Sequence, residues 1–139
     1  MQENAFVRTI ASDTSAIQEV SACLDTMMRA SGFPEDDILD TQLAVEEAIT
    51  NIILHGYRDG EGAITVSGRA GNGTVEVQLE DRAGPFDPLS IPEPDLGGDA
   101  GDRKPGGLGI FLIRQVMDDV RYRFDEGKNI LVLTKRKTA

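Results

Sequence analysis

The sequence predicts an α+β fold, in which one mostly antiparallel sheet carries its helices on a single face. Two pairs of segments alternate apolar and polar residues with the period of a strand, and a short turn joins each pair. Three longer segments instead repeat apolar residues at the spacing of a helix. The order strand, helix, helix, hairpin, loop, helix, hairpin is not an alternating βαβ order, so a doubly wound parallel sheet is not expected.

The first third of the chain is predicted as one strand followed by two helices. Residues 6–10 have the composition of a strand, and residues 12–14 supply N-cap candidates for a helix that runs to about Ala30. Gly32 ends that helix. Pro34 and the acidic residues after it favour the start of a second helix, because proline presets the backbone angle and acids complement the helix dipole.

The second helix carries residues 43–56, the stretch from which the site prediction starts. One stripe of this helix is apolar and the opposite stripe is polar: Ile38, Val45, Ile49 and Ile52 form the first, and Asp40, Glu47, Asn51 and His55 the second. Asn51 is unusual there, because its amide competes for backbone groups in the middle of a helix. A carboxylate and a carboxamide one turn apart indicate a site for a metal ion and a proton. The alternative is an ordinary outer face that ends at Gly56 as a C-cap.

A hairpin and a long loop follow this helix. Residues 63–68 and 74–81 alternate with period two on either side of residues 71–73, whose Gly-Asn-Gly sequence predicts the hairpin turn. Periodicity is lost over residues 82–106, where five of the chain's six prolines lie. A loop of this length inside a single domain is either functional or disordered.

The last part of the chain is predicted as a helix and a second hairpin. The helix runs from about residue 108 to residue 119, with an apolar face directed inward. Two strands follow, over residues 120–124 and 129–134, and the sequence Glu-Gly-Lys at residues 126–128 joins them.

Composition limits the classes of partner. At 139 residues, with 40% hydrophobic residues, the chain is expected to form one domain over residues 1–139. The formal charge of −10 argues against nucleic acid and anionic membrane surfaces, which both attract clustered Lys and Arg. An acidic chain can still bind ATP if backbone amides and Mg²⁺ supply the local positive charge.

Cysteine usage and the N-terminal residues bear on the compartment. Cys23 is the only cysteine, which excludes a disulfide framework and a cysteine metal cluster and is typical of a reducing environment. The N-terminus lacks the apolar segment of a signal peptide, and no apolar run reaches membrane-spanning length. We therefore expect a cytoplasmic protein without a direct nucleic-acid or membrane partner.

Two glycine-bearing segments bracket the long loop. Residues 80–88 end a predicted strand, and residues 106–109, Gly-Gly-Leu-Gly, open a predicted helix. Glycines at a helix N-terminus expose backbone N–H groups and the positive end of the helix dipole, which suits a phosphate. Neither segment matches a P-loop or a dinucleotide-binding fingerprint. Taken singly, each is a weak signal, since a strand-end turn and a glycine-rich N-cap explain them.

The order of three segments is far more specific. The chain reads Glu47-Ala-Ile-Thr-Asn51, then Asp81-x-x-Gly-Pro-Phe-Asp-Pro88, then Gly106-Gly-Leu-Gly-Ile-Phe-Leu-Ile113. This order resembles the gyrase/Hsp90/histidine-kinase/MutL ATPase superfamily, and within it the small bacterial anti-sigma factor serine kinases. The resemblance covers nearly the whole chain. It implies a Bergerat-type two-layer sandwich with a mostly antiparallel, mixed sheet and an ATP lid over about residues 87–106.

The resemblance also implies roles for individual residues. Glu47 matches the family's general base, and Asn51 matches the asparagine that holds Mg²⁺ through a carbonyl oxygen suited to a hard cation. Asp81 matches the aspartate that accepts a hydrogen bond from the adenine amino group. The other implied nucleotide-binding residues are Gly84 and Phe86 in the adenine motif, Gly107, Leu108 and Gly109 in the phosphate-covering turn, and Thr134 near the adenine.

The chain departs from the family pattern in its adenine motif. Ala83 and Pro85 stand where the family commonly has glycines, so the backbone beneath the adenine is expected to be stiffer. Arg103 and Lys104 are the only cations of the lid and can reach phosphates, although a solvated pair in a loop is the commoner outcome. His55 matches a helix-end histidine and is expected to fix the helix end rather than to catalyse.

The resemblance leaves two main functional hypotheses. The first is an ATP- and Mg²⁺-dependent protein serine kinase that acts as an anti-sigma factor, sequesters a sigma factor as a homodimer, and phosphorylates an anti-sigma antagonist. The second is a non-catalytic regulator whose protein binding is gated by nucleotide. Glu47 favours the first, because a pure binder needs no base beside the metal asparagine. A histidine kinase catalytic domain has less support, because no pair of phosphoacceptor helices precedes the first predicted strand.

Overall fold

A computed structural model describes residues 4–57, 62–85, 87–90 and 107–138, with Ser90 and residues 107–109 described by their backbone alone. The strands are β1 (Asn4–Ala11), β2 (Ala63–Gly71), β3 (Thr74–Asp81), β4 (Asp119–Asp125) and β5 (Lys128–Arg136). The α-helices are α1 (Ile17–Ala30), α2 (Glu35–Asn51) and α3 (Gly107–Val116). Two 3-10 helices (Thr14–Ala16 and Pro88–Ser90) and one π-helix (Ile52–Gly56) complete the described elements.

The five strands form one open sheet in the order β1-β2-β3-β5-β4. Every neighbouring pair in this sheet is antiparallel. The predicted α+β class is therefore confirmed, and the sheet of the described chain is antiparallel throughout rather than mixed. Because β5 returns to lie between β3 and β4, the last strand of the chain occupies an interior position beside the end of β3.

Two tight turns set the register of the sheet. Asn72 and Gly73 have φ of 53° and 77° between β2 and β3, and Glu126 and Gly127 have φ of 52° and 80° between β4 and β5. Two consecutive residues with positive φ match the right-handed twist of the strands they join. Both turns lie where the sequence predicted them. With these registers, Asp81 at the end of β3 pairs with Asn129 at the start of β5.

The core lies between one face of the sheet and the helices. Alternate residues of β3 point to this face and are fully buried, as the period-two pattern predicted. The inward face of α2 is buried with them, and α1 and α3 pack on either side of α2. The largest fully buried side chains of the described core are Leu24, Met28, Ile38, Ile49, Ile64, Leu79, Ile113 and Leu133. The central helix of the layer is therefore α2, which also carries the predicted site residues Glu47 and Asn51.

Polar contacts of Lys135 and Thr138 connect the C-terminal segment to α2 and α3. The buried carboxylate of Asp37 accepts hydrogen bonds from Thr138 N at 2.9 Å and from Thr138 Oγ1 at 2.8 Å. Lys135 Nζ donates to the carbonyl of Val116 at 2.7 Å and lies 3.6 Å from the carboxylate of Asp40. The polar stripe of α2 is thus partly covered by β5. None of the described helices is long and apolar enough to cross a membrane.

Shortening a side chain on the inner face of α2 should destabilise the fold. Ile49 is fully buried, so Ile49→Ala is expected to lower the free energy of unfolding by about 2–5 kcal/mol through lost contacts and a cavity. Urea unfolding measures this loss. Leu39 on the outer face is 53% exposed, and Leu39→Ala should stay within about 0.5 kcal/mol of the wild type. Similar losses in both variants would contradict the assigned inner face.

Candidate nucleotide-binding site

A pocket lies where the end of α2 meets the end of β3 and the start of β5. Its lining combines apolar side chains with four polar side chains from separate elements: Asn51, Ile52, Gly56, Asp81, Pro88, Tyr122, Asn129 and Leu131. Such a mixture is typical of small-molecule sites. The fold thereby brings together Asn51 and Asp81, which the sequence predicted as the metal-holding and adenine-binding residues.

Asn51 is the last residue of α2 and is only 4% exposed. Its amide nitrogen Nδ2 is buried without a hydrogen-bond partner in the described structure. A buried polar atom left unsatisfied costs about 1–3 kcal/mol, so it calls for an explanation. Rotation about Cβ–Cγ exchanges the amide nitrogen and oxygen, so this side chain can offer either a donor to a phosphate or an oxygen to a cation. The amide fits the Mg²⁺ and phosphate end of a nucleotide.

The helix widens directly after Asn51. Residues Ile52–Gly56 form a π-helix, in which Tyr57 N donates to the carbonyl of Ile52 at 3.0 Å. The sequence predicted a regular α-helix up to Gly56, so the π-helix is a departure from that prediction. Single π turns inside or at the end of α-helices are frequent at functional sites. The predicted histidine, His55, lies half-buried within this π-helix.

Gly56 is not the C-cap that the ordinary interpretation of α2 required. Positive φ occurs at other described glycines but not at Gly56. A Cβ atom at Gly56 would lie 2.9 Å from Cβ of Ala83, closer than such atoms approach. The absence of a side chain therefore lets the end of the π-helix pack directly on the turn after β3.

Glu47 precedes Asn51 by one helical turn and is half-buried. Glu47 is not among the described residues that line the pocket. The neighbouring Glu46 has a different environment, because its Oε1 accepts a hydrogen bond from Ser21 Oγ of α1 at 3.3 Å. That contact indicates a structural role for Glu46 in the packing of α1 against α2.

Asp81 ends β3 and is 6% exposed. Its Oδ1 accepts two hydrogen bonds, from Ala83 N at 3.0 Å and from Asn129 Nδ2 at 2.9 Å. Asn129 Nδ2 also donates to the carbonyl of Gly84 at 2.6 Å, and the Tyr122 hydroxyl donates to Asn129 Oδ1. The predicted adenine-binding carboxylate is therefore held in one orientation by its own turn and by β5.

The turn after β3 has a second anchor at Tyr57. Arg82 N donates to the Tyr57 hydroxyl at 2.8 Å, and that hydroxyl donates to the carbonyl of Ala63 at 2.9 Å. Gly84 adopts φ of +96°, a conformation that favours glycine. The backbone of this turn, which the sequence predicted to be stiff because of Ala83, is thus held at several of its residues.

The predicted phosphate-covering residues Gly107, Leu108 and Gly109 open α3. The first four N–H groups of a helix have no partner within it and attract anions. The far side of the pocket is linked to the same helix, because Arg114 Nη2 donates to the carbonyl of Leu89 at 3.1 Å beside the pocket-lining Pro88. This arrangement agrees with a nucleotide whose phosphates extend toward α3.

Comparison with known proteins identifies the family. Residues 10–135 match the sequence profile of the histidine kinase-like ATPase domain. The chain belongs to this family. The serine-protein kinase RsbW of Listeria monocytogenes serovar 1/2a is 40% identical over 110 residues, which make up 76% of this chain and 69% of the relative. RsbW of Bacillus cereus strain G9842 is 33% identical over 105 residues, or 73% of this chain and 66% of the relative.

Solved structures agree with the fold of this family. The RsbU and RsbW domains of a Mycobacterium tuberculosis protein superpose with a TM-score of 0.68 at 23% identity, over 97% of this chain and 33% of that chain. The histidine kinase domain of Erythrobacter litoralis EL346 gives 0.54 at 14% identity, over 92% of this chain and 62% of that chain. The predicted Bergerat-type architecture is therefore confirmed.

One predicted site residue of this RsbW-like chain, Thr134, lies away from the pocket. Thr134 pairs with Glu76, whereas Asp81 pairs with Asn129 five residues earlier on β5, about 17 Å along the strand. Strand residues alternate between faces, so Thr134 also points to the sheet face opposite Asn129. The structure therefore does not bring Thr134 together with Asp81 at the pocket.

Other predicted residues lie outside the described part of the chain. Phe86, Arg103 and Lys104 belong to this group, as does most of the predicted lid, of which residues 87–90 are described.

Asn129 and Tyr122 are site residues that the sequence prediction missed. Asn is depleted in strands, and Asn129 begins the inward-facing series that continues with Leu131 and Leu133. An inward asparagine at a strand start was therefore a usable signal. The partner of that asparagine depends on the β3–β5 register, which no local pattern reveals.

The contact between Gly56 and Ala83 yields a test of the site's packing. Gly56→Ala is expected to lower the free energy of unfolding by about 1–3 kcal/mol, because the added methyl group overlaps that of Ala83. The double variant Gly56→Ala/Ala83→Gly removes the overlap and should recover much of that loss in urea unfolding. A single variant as stable as the wild type would show that the close contact imposes no constraint.

Proposed function

We propose that this chain is an ATP-dependent protein serine kinase of the RsbW type. The observation that carries the proposal is the buried amide of Asn51, whose Nδ2 has no hydrogen-bond partner in the described structure, in the same pocket as the hydrogen-bonded carboxylate of Asp81. An ionised carboxylate accepts but cannot donate, so Asp81 suits the amino group of adenine rather than the carbonyl of guanine. The serine-protein kinases that this chain resembles support the reaction class.

Mg²⁺ is proposed as the companion of ATP, with Asn51 as the protein ligand. In the described ranges, no group of three His, Cys, Asp or Glu side chains can hold a metal ion by itself. Mg²⁺ commonly takes one or two protein ligands and completes its shell with substrate phosphates and water, so a single asparagine is compatible with it. When bound, the ion would neutralise charge on the phosphates.

Glu47 is proposed as the general base of the transfer. Phosphoryl transfer depends mainly on positioning and charge neutralisation, and a carboxylate then accepts the proton of the attacking serine hydroxyl. Glu47 lies one turn from Asn51 and is half-buried, so part of its surface remains accessible to an incoming protein substrate. Gly107, Leu108 and Gly109 are proposed to bind phosphate through backbone N–H groups of the first turn of α3.

The biological setting is proposed from the family resemblance. The protein substrate would be an anti-sigma antagonist, and the sequestered partner a sigma factor. We further propose a homodimer that works in the cytoplasm without direct contact to nucleic acid or membrane. The formal charge of −10 is the property of this chain that supports the last point.

A nucleotide-gated binder without catalysis is the second candidate. The observation that favours it is the position of Glu47, which does not line the pocket that holds Asn51 and Asp81. Binding of nucleotide needs only Asn51 and Asp81, whereas phosphate transfer also needs a general base. The two functions therefore differ in the consequence of changing Glu47.

Removing the Asn51 amide should remove most of the Mg²⁺-dependent affinity for ATP. An interaction with a charged group is worth about 1.5–3 kcal/mol, so Asn51→Ala is expected to weaken Mg-ATP binding by about 10- to 100-fold. Titration calorimetry with and without Mg²⁺ measures the change. Gln115 offers an exposed amide on α3, and Gln115→Ala is the matched control. Equal affinity in the wild type and Asn51→Ala would overturn the metal role.

The Glu47 and Glu46 pair separates a kinase from a binder. Glu47→Gln should keep Mg-ATP affinity within about 3-fold yet lower phosphate transfer by about 10²–10⁴-fold, because loss of a general base spares ground-state binding. Glu46→Gln should keep transfer, since Glu46 contacts Ser21 of α1. The assay measures transfer to the partner protein that co-purifies from cell extract, followed by phosphopeptide mapping.

Two outcomes would contradict this assignment in different ways. Full transfer by Glu47→Gln would remove the base role while leaving a kinase. No transfer by the wild type to any bound partner, together with normal Mg-ATP binding, would favour the nucleotide-gated binder.

A further inference from the structure

The amide of Asn129 links three parts of the site. This residue is 6% exposed and lies among the pocket-lining groups. Its Nδ2 donates to Asp81 Oδ1 at 2.9 Å and to the carbonyl of Gly84 at 2.6 Å. Its Oδ1 accepts the hydroxyl of Tyr122 from β4. An amide nitrogen has two hydrogens, so the two donated bonds account for its donor capacity.

The hydroxyl of Tyr122 decides which way this amide faces. A hydroxyl hydrogen donated to Asn129 favours the carbonyl oxygen on that side and therefore directs the two N–H groups to Asp81 and Gly84. The reversed amide would set its oxygen against the carboxylate of Asp81, acceptor against acceptor. Tyr122 thus sets the polarity of the contact between Asn129 and Asp81.

The sheet register makes this contact part of the fold. Asp81 and Asn129 are direct cross-strand partners, and such partners have Cβ atoms about 4.5–5.5 Å apart on one face. A slip of one residue would move Asn129 to the opposite face of the sheet. The contact is therefore set before any ligand arrives.

The contact leaves one carboxylate oxygen for a ligand. Both hydrogen bonds that the described residues donate to the Asp81 side chain end on Oδ1. Oδ2 is then the oxygen available to a base in the pocket that Asp81 lines. A carboxylate held in one orientation loses little conformational freedom on binding, so its preference among ligands is sharpened.

We infer that Asn129, oriented by Tyr122, is a positioning residue that makes Asp81 selective for purines with a 6-amino group. The inference rests on the proposed nucleotide function and deepens it, because it names the residues that set base specificity. A 6-oxo purine would place a carbonyl acceptor against the fixed carboxylate. Purines with hydrogen at position 6 would leave Oδ2 without a donor.

The test measures coupling between the 6-amino group and Asn129. Calorimetry compares Mg-ATP with the Mg²⁺ complex of an ATP analogue that carries hydrogen in place of that amino group. In the wild type, ATP should bind about 10- to 100-fold more tightly than the analogue, the range for a hydrogen bond to a charged group. In Asn129→Leu, the ratio should fall to within about 3-fold. A purely structural role would weaken both nucleotides equally and keep the ratio.

Tyr122→Phe and a control variant complete the design. Tyr122→Phe removes one hydroxyl and keeps the ring, so it tests the same coupling if Asn129→Leu fails to fold, and its ratio should also fall. Gln78→Leu is the matched control, because Gln78 lies on β3 at the opposite sheet face and donates to Glu80. Its ratio should equal that of the wild type.

The outcomes separate this inference from the proposed function. ATP binding by the wild type with an unchanged ratio in the folded Asn129 and Tyr122 variants would overturn the positioning role and leave the nucleotide function standing. A wild type that binds ATP and the analogue equally would also overturn it. A wild type that binds neither nucleotide would overturn the proposed function itself.

Discussion

The pairing of β3 with β5 is the constraint on which the site depends. It sets the last residue of one strand, Asp81, against the second residue of the other, Asn129. Because β5 is interior to the sheet, it is paired along both edges, by β3 and by β4. The proposed adenine end of the pocket is therefore formed by two interior strands, β3 and β5, and β4 adds the Tyr122 hydroxyl from the other side of β5.

At the other end of the pocket, where phosphate is proposed to bind, α2 positions the site residue. There the helix changes from α to π at Asn51, and Gly56 packs without a side chain on Ala83. Those two features bring the end of the helix layer to the end of β3. The helix and sheet thus meet at one turn, residues 82–84, which is bonded from β5 and from Tyr57.

Local signals predicted the elements well, because strands, helices and positive-φ turns leave their pattern in consecutive residues. The turn at Asn72 and Gly73 and the inward face of α2 are examples. The π-helix and the role of Asn129 depend on contacts between distant segments, which such patterns do not contain. The family resemblance implied that Thr134 lies near the adenine. The alternation of strand residues places its side chain on the sheet face opposite Asn129.

The two ends of the pocket differ in whether their buried polar atoms have hydrogen-bond partners within the protein. At the adenine end, the Asp81 and Asn129 side chains have partners within the protein. At the phosphate end, the Asn51 nitrogen is buried without one, at a cost of about 1–3 kcal/mol to the folded state. A ligand that satisfies Asn51 removes that cost and stabilises the folded chain by mass action. In the proposed function, selection of the base would therefore rest on a preformed contact, whereas the dependence on phosphate and cation would rest on an unsatisfied polar atom.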